Sequence, residues 1–219
     1  MTPPDPTHHG ERLRLGVVVP SSNTTVEPEF AGWTPADVSV HAARMPLVDV
    51  TVEGLDAMAD DAADAAARLG DAEVDAVAYA CTTGSLVHGH GFDAELETRL
   101  ADAAGVPAVA TALSVRRLLD ALDATRLAVA TPYVAELNER EREYLAEAGF
   151  DVVRLDGRGI ERNTDIGRLT PSDARRRRPV RLVYELSDAR RCRRASRPAS
   201  GGHEQPRDAL GPLSGDRSR

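Results

Sequence analysis

Short apolar runs rich in β-branched residues alternate along this chain with segments of helical period. That alternation is what most narrows its fold. The runs are LGVVVP (15–20), VSVHAARM (38–45), EVDAVAYAC (73–81), VPAVAT (106–111), RLAVAT (126–131) and DVVRL (151–155). Continuous apolar strands of this kind bury both faces, which suits a parallel sheet covered by helices on each side. Between them, Leu55, Met58, Ala62, Ala66 and Leu69 recur at steps of three or four and predict one helix over 52–69. Val115, Leu118, Leu119 and Leu122 do the same over 112–122. So do Val134, Leu137, Tyr144, Leu145 and Ala148 over 134–148, with Gly149 as a stop. The β-α-β-α order predicts an α/β fold, an open doubly wound parallel sheet, and a boundary near 115–125 would divide it into two similar halves.

Composition adds a sharp asymmetry. Residues 1–170 carry 14 Arg against 29 Asp plus Glu, a balance of −15, whereas residues 171–219 carry 13 Arg against 6 acids, a balance of +7, with no Lys anywhere. The acidic part argues against nucleic-acid binding and resembles a halophile-like surface kept soluble by charge. Hydrophobic content of 42% supports a core, but no apolar run approaches the roughly 18 residues of a membrane span. MTPPDPTHHG at the start is polar and proline-rich, and two cysteines far apart suit a reducing compartment, so a cytoplasmic protein is expected. From about 175 the periodicity fails. LVYEL (182–186) is one short strand candidate in an otherwise Arg-, Ser-, Pro- and Gly-rich tail. The expected organisation is a disordered tail over 1–11, a first half over 12–115, a partial second half over 116–174 and a poorly ordered tail over 175–219.

In open α/β sheets, ligands bind beyond the carboxyl ends of the strands. Three strands here run into small polar residues: LGVVVP into SSNTT, AVAYA into CTTGS and LAVAT into TPY. One crevice at these ends would hold Ser21, Ser22, Asn23, Thr24, Cys81, Thr82, Thr83 and Tyr133. Neutral hydroxyl, amide and N–H donors of this kind suit the carboxylate of a small acid. Cys81 is a packed small hydrophobe or a nucleophile, and a position at a helix start predicts a lowered thiol pKa. Asn23 or Thr25 is also a candidate helix N-cap. His88 and His90 sit among glycines without a ligand set, so no metal is expected. A cysteine phosphatase would need an arginine about six residues beyond Cys81, where Val87 stands, and no glycine-rich nucleotide motif is present.

RLGVVVPSSNTTVEPEF, AYACTTGS, ATPYVAELNERE and ERNTDIGRLTP together resemble the maleate cis-trans isomerases, with the match running from about 12 to 173. These belong to the aspartate/glutamate racemase superfamily, with arylmalonate decarboxylase and hydantoin racemase as relatives. The resemblance implies two pseudo-symmetric α/β halves with the site between them, no metal or organic cofactor, a small dicarboxylate substrate and a homo-oligomer. It implies Cys81 as the nucleophile, Asn23 and Asn163 as carboxylate ligands and Tyr133 as a further donor, with Thr82 and Thr83 in an anion-binding turn. The thiolate would add to the double bond of maleate, the resulting single bond would rotate, and elimination would give fumarate. An intact first-half cysteine favours isomerase over decarboxylase, which keeps the second-half one. A racemase or an inactive carboxylate-binding remnant are the alternatives.

The family's second cysteine ends an apolar strand of the second half. Cys192 lies near the right distance from Cys81, but within ARRCRRAS. Such a context, and the whole stretch after about 174, reads as the product of a shifted frame in GC-rich DNA. An incomplete second half predicts apolar surface exposed along 126–131 and 151–155.

Overall fold

The computed structural model describes residues 12–170 and 172–173. The tail over 1–11, the strand candidate at 182–186 and Cys192 lie outside the described residues. The chain runs through β1 (Leu13–Pro20), α1 (Val26–Trp33), β2 (Val38–Met45), α2 (Val52–Asp60), α3 (Ala62–Asp71), β3 (Ala76–Tyr79) and α4 (Thr82–Leu86). It continues through α5 (Phe92–Ala104), β4 (Ala108–Ala110), α6 (Thr111–Ala121), β5 (Arg126–Thr131), α7 (Ala135–Glu147), β6 (Asp151–Gly157) and α8 (Asn163–Ile166). All six expected strands form.

The first four make one parallel sheet in the order β2-β1-β3-β4, and β5 and β6 pair in parallel in a second. Leu13–Pro20 lies inside its sheet, with Val17 opposite Ala42 on one side and Ala78 on the other. Val17, Val18 and Val19 have no exposed surface, as a strand covered on both faces requires. The sheet changes between β4 and β5. Helix α6 crosses the expected boundary at 115/116, and its Ala112, Val115 and Leu119 are all buried.

Two helical expectations change. The single helix over 52–69 is two helices, α2 and α3, parted at Asp61. There the chain tightens, with the Asp61 N–H donating to the Met58 carbonyl at 3.2 Å, only three residues back. The stripe survives the break, since Leu55, Met58, Ala62, Ala66 and Leu69 are all buried. Helix α5 has no counterpart in the sequence reading, because its apolar face reduces to Leu96 and Leu100 within an acidic segment. Gly105, at φ 72°, stops it, and its N–H donates to the Ala101 carbonyl.

Two cores interlock. One gathers Val18, Met45, Leu55, Tyr79 and Leu96 around the four-stranded sheet, and the other gathers Val115, Leu127, Val129, Tyr144 and Phe150 around the two-stranded one. Leu86 of α4 packs in the second core, and Leu137 of α7 packs in the first. A buried polar node joins α5, α6 and α7: the Tyr144 hydroxyl donates to Asp93 at 2.6 Å, and Arg116 donates to the same oxygen at 3.3 Å. Arg116 also lies over the Tyr144 ring, 5.7 Å from its centroid. Of the apolar exposure expected on both later strands, only that of β6 is found. Val153 is 51% exposed, whereas Leu127 and Val129 are buried because α6 and α7 cover them.

Removing the hydroxyl in Tyr144→Phe leaves one oxygen of a fully buried carboxylate with Arg116 as its remaining side-chain donor. The expected loss of stability is about 1–3 kcal/mol in urea unfolding; an unchanged midpoint would show that the node does not hold the three helices.

Candidate active site

The carboxyl ends of β1, β3 and β5 converge, with the segment after β6, on a cavity of about 300 Å³. Asn23, Cys81, Thr82, Thr83, Tyr133 and Asn163 all line it. Ser22 does not; it stands behind the wall and positions one that does.

Cys81 lies two residues beyond β3 and caps α4, with Sγ accepting from the Gly84 N–H at 3.4 Å and lying 3.8 Å from the Thr83 hydroxyl. The glycine is required by crowding: a Cβ there would stand 2.6 Å from the Tyr79 hydroxyl, 2.7 Å from Met58 Cε and 3.1 Å from Sγ. Ser85 braces the same turn, donating to the Thr82 carbonyl at 2.8 Å and accepting from the Ala112 N–H at 3.0 Å. The lowered thiol pKa expected at a helix start is not found. Burial pushes the Cys81 thiol up, and the Gly84 N–H and Thr83 hydroxyl offset this only in part. Helix α4 is five residues long, too short to add much of a dipole. Nearby, the buried Tyr79 hydroxyl has no hydrogen-bond partner among the described residues, and its own ionisation is opposed by burial and by Cys81.

The two asparagines are oriented by different means. Asn23 Oδ1 accepts from the Thr25 and Val26 N–H groups at 2.9 and 3.0 Å, so this lining residue holds the start of α1 from two positions ahead of the N-cap, Thr25, whose own side chain makes no capping bond. With the oxygen so occupied, the amide NH₂ is the group left to serve the cavity. Arg44 holds this turn from β2, donating to the carbonyls of Ser21 and Asn23 at 2.9 and 3.0 Å and pairing with Glu27. Asn163 arrives from the other sheet. Its N–H donates to the Val48 carbonyl at 3.1 Å, and its Nδ2 donates to Ser22 Oγ at 2.9 Å. Ser22 in turn donates to the Leu47 carbonyl.

Tyr133 follows β5 in a turn stapled by Asn138. Thr131 donates to Asn138 Oδ1, and Asn138 Nδ2 donates to the Tyr133 carbonyl at 3.0 Å. Burial above all, and then Glu141 and Cys81, keep the Tyr133 phenol protonated well beyond its usual range, so it is a donor throughout the physiological range. Glu141 itself is 2% exposed, and its Oε2 finds no hydrogen-bond partner among the described residues. Burial raises its pKa to about 7. Arg158 also lines the cavity, beside Asp173 and Glu29. The sequence reading missed Arg44, Asn138, Glu141 and Arg158. Asn138 and Glu141 fall inside a motif that the resemblance rests on, but their roles come from contacts that spacing does not reveal. The histidine pair is elsewhere, with His88 Nε2 at 3.3 Å from Asp56.

Fold and cavity together define a parallel α/β protein whose strand ends present a thiol among neutral donors. The chain belongs to the arylmalonate decarboxylase family, whose sequence model matches residues 15–183. It is 31% identical over 172 residues to a maleate isomerase of Pseudomonas putida, covering 73% of this chain and 69% of that one. With an arylmalonate decarboxylase of Bordetella bronchiseptica it shares 33% over 133 residues, 61% of this chain and 55% of the other. Among solved structures it is similar to a cysteine-to-serine variant of the Nocardia farcinica maleate cis-trans isomerase carrying a covalently bound succinylcysteine intermediate. The TM-score is 0.69 at 32% identity, over 74% of this chain and 70% of that one.

Two predictions follow from these charges. Glu141 holds its proton in the native state between pH 4.5 and about 7, where the unfolded chain has released it. Stability therefore falls as pH rises across that window, by ~3 kcal/mol in all, about the contribution of one buried leucine. Glu141→Gln should flatten this fall in urea titrations at pH 5 and pH 8; equal slopes in variant and native chain would refute the assignment. For Cys81, alkylation by iodoacetamide should still be accelerating at pH 9, and a plateau below pH 8 would contradict the raised thiol.

Proposed function

We propose that this chain binds a small dicarboxylate in the cavity and isomerises it about a carbon–carbon double bond, as maleate to fumarate, with Cys81 as nucleophile. The observation that supports this reading is that Cys81 lines the cavity together with Asn23, Asn163, Thr82, Thr83 and Tyr133. Such an array matches the charge that develops when sulfur attacks an unsaturated acid.

The Cys81 thiol first gives up its proton, because the thiolate is the nucleophile. A carbon–sulfur bond then forms at one alkene carbon, and the π pair moves into the far carboxylate as an enediolate. Asn163, Asn23 and Tyr133 donate to that carboxylate. What was the double bond is now single and rotates. The electron pair then returns, the carbon–sulfur bond breaks, and fumarate leaves with the thiolate restored. Burial of the thiol sets the demand on this scheme: a base must take its proton at neutral pH. The resemblance assigns an acid/base of this kind to a cysteine of the second half. Cys192 is the other cysteine of the chain.

A raised thiol also favours a second reading, in which the cavity binds carboxylates without turnover. Proton NMR of the full chain with maleate separates the two. Fumarate should appear, and Cys81→Ala should abolish it, a fall of at least about a hundredfold. Saturable binding with no fumarate would establish the binding-only reading. Carbon dioxide released from phenylmalonate, with maleate untouched, would place the chain with the decarboxylases. Should turnover occur, its loss in Cys192→Ser would identify the second thiol.

A further inference from the structure

Arg158 is the only basic side chain among the described residues that line the cavity. The other ionisable groups there are Glu29, Asp173, Cys81 and Tyr133, so nothing else in the described wall can neutralise a negative ligand. The backbone on either side fixes where this cation stands. Gly159 donates to the Tyr133 carbonyl at 3.0 Å, and Ile160 donates to the Pro132 carbonyl at 2.9 Å, which anchors the segment after β6 to the turn bearing Tyr133. Arg158 is therefore held next to one of the site's own donors rather than on a wandering loop.

Its present partner does not saturate it. Arg158 donates to the backbone carbonyl of Asp173, while its nearest approach to that carboxylate is 3.7 Å, too long for a hydrogen bond. Only Oδ1 faces Arg158, as a long ion pair, since Oδ2 accepts from the Thr170 N–H at 2.9 Å and from its hydroxyl at 2.7 Å. A guanidinium has five N–H donors in a planar fork matched to a carboxylate. With its side chain 29% exposed, Arg158 is partly desolvated yet still reachable from the cavity.

We propose that Arg158 sets the charge specificity of the site, taking one carboxylate of the ligand in its fork and so selecting dianionic over monoanionic acids. This deepens the dicarboxylate reading and rests on it. The neutral donors around Cys81 hold one carboxylate, and Arg158 recruits the second against the local negative charge of Glu29 and Asp173. Neutral donors that hold only the first carboxylate would not separate succinate from butyrate, because both ligands present that group.

Those two acids provide the test. They share a four-carbon chain, differ by one carboxylate and lack a double bond, so binding is read without turnover. Calorimetric titration of the full chain at fixed ionic strength should show succinate bound at least about tenfold more tightly than butyrate. Arg158→Leu should lower the succinate affinity about tenfold to a hundredfold and change that of butyrate less than about twofold. Arg158→Lys should keep part of the preference as a point charge. Arg158→Gln, closer in polarity, gives the same reading if the leucine variant does not fold. An unchanged ratio in folded Arg158→Leu or Arg158→Gln overturns the inference while leaving the dicarboxylate site intact. Failure of the native chain to bind either acid overturns both. Loss of the preference in a chain that never converts maleate upholds Arg158 and rejects the isomerase.

Discussion

The cavity exists because one short seam of hydrogen bonds holds the segment after β6 against the segment after β2. Val50 donates to Glu161, Asn163 to Val48, and the Asn163 side chain to Ser22, which is itself tied to Leu47. The bonds from Val50 to Glu161 and from Asn163 to Val48 and Ser22 join residues more than a hundred positions apart in the chain. Each is modest by itself, but together they decide whether Asn163 shares a wall with Cys81. Without the seam the first sheet would keep its thiol and its Asn23, yet the cavity would lose one of its two lining asparagines. Ser22 illustrates the point. It does not line the cavity, but its hydroxyl holds the side chain of Asn163, which does.

The electrostatics of the site pull in opposite directions. Burial keeps the Tyr133 phenol protonated and useful as a donor, and the same burial keeps the Cys81 proton in place. A more open site would ease ionisation of the thiol but weaken every hydrogen bond made inside the cavity. Glu141, buried on α7, adds to the cost of forming negative charge at Tyr133. The thiol and the phenol of the cavity are therefore held neutral, while the ionisable Arg158, Glu29 and Asp173 stand elsewhere on its wall.

Much of this was legible from the residues because strand ends announce themselves. PSSNTT, ACTTGS and TPY each follow a β-branched or small apolar run, and a parallel sheet delivers such ends to one side. Seven lining residues, Asn23, Thr24, Cys81, Thr82, Thr83, Tyr133 and Asn163, could be named on that ground together with the resemblance. What stayed hidden depends on partners distant in sequence. Helix α5 escaped notice because neighbouring helices bury just enough of it through Leu96 and Leu100. Glu141 looks like one more charge on a solvated helix until Leu137 and Tyr144 turn the same face inward. Arg158 falls in a glycine-flanked loop with no period at all. The direction of the thiol shift was misjudged for a related reason: a strand-to-helix turn reveals nothing about how deeply the fold will bury it.

The exchange of Leu86 and Leu137 between the two cores has a kinetic consequence. Each leucine is rooted in one half and packed in the other, so swinging the halves apart would strip both of their contacts at once. Opening of the cavity by a hinge between the halves is thereby made costly, and motion of its walls is left to side-chain rotamers. In exposed residues these change on picosecond to nanosecond timescales, against microseconds to milliseconds for domain hinges.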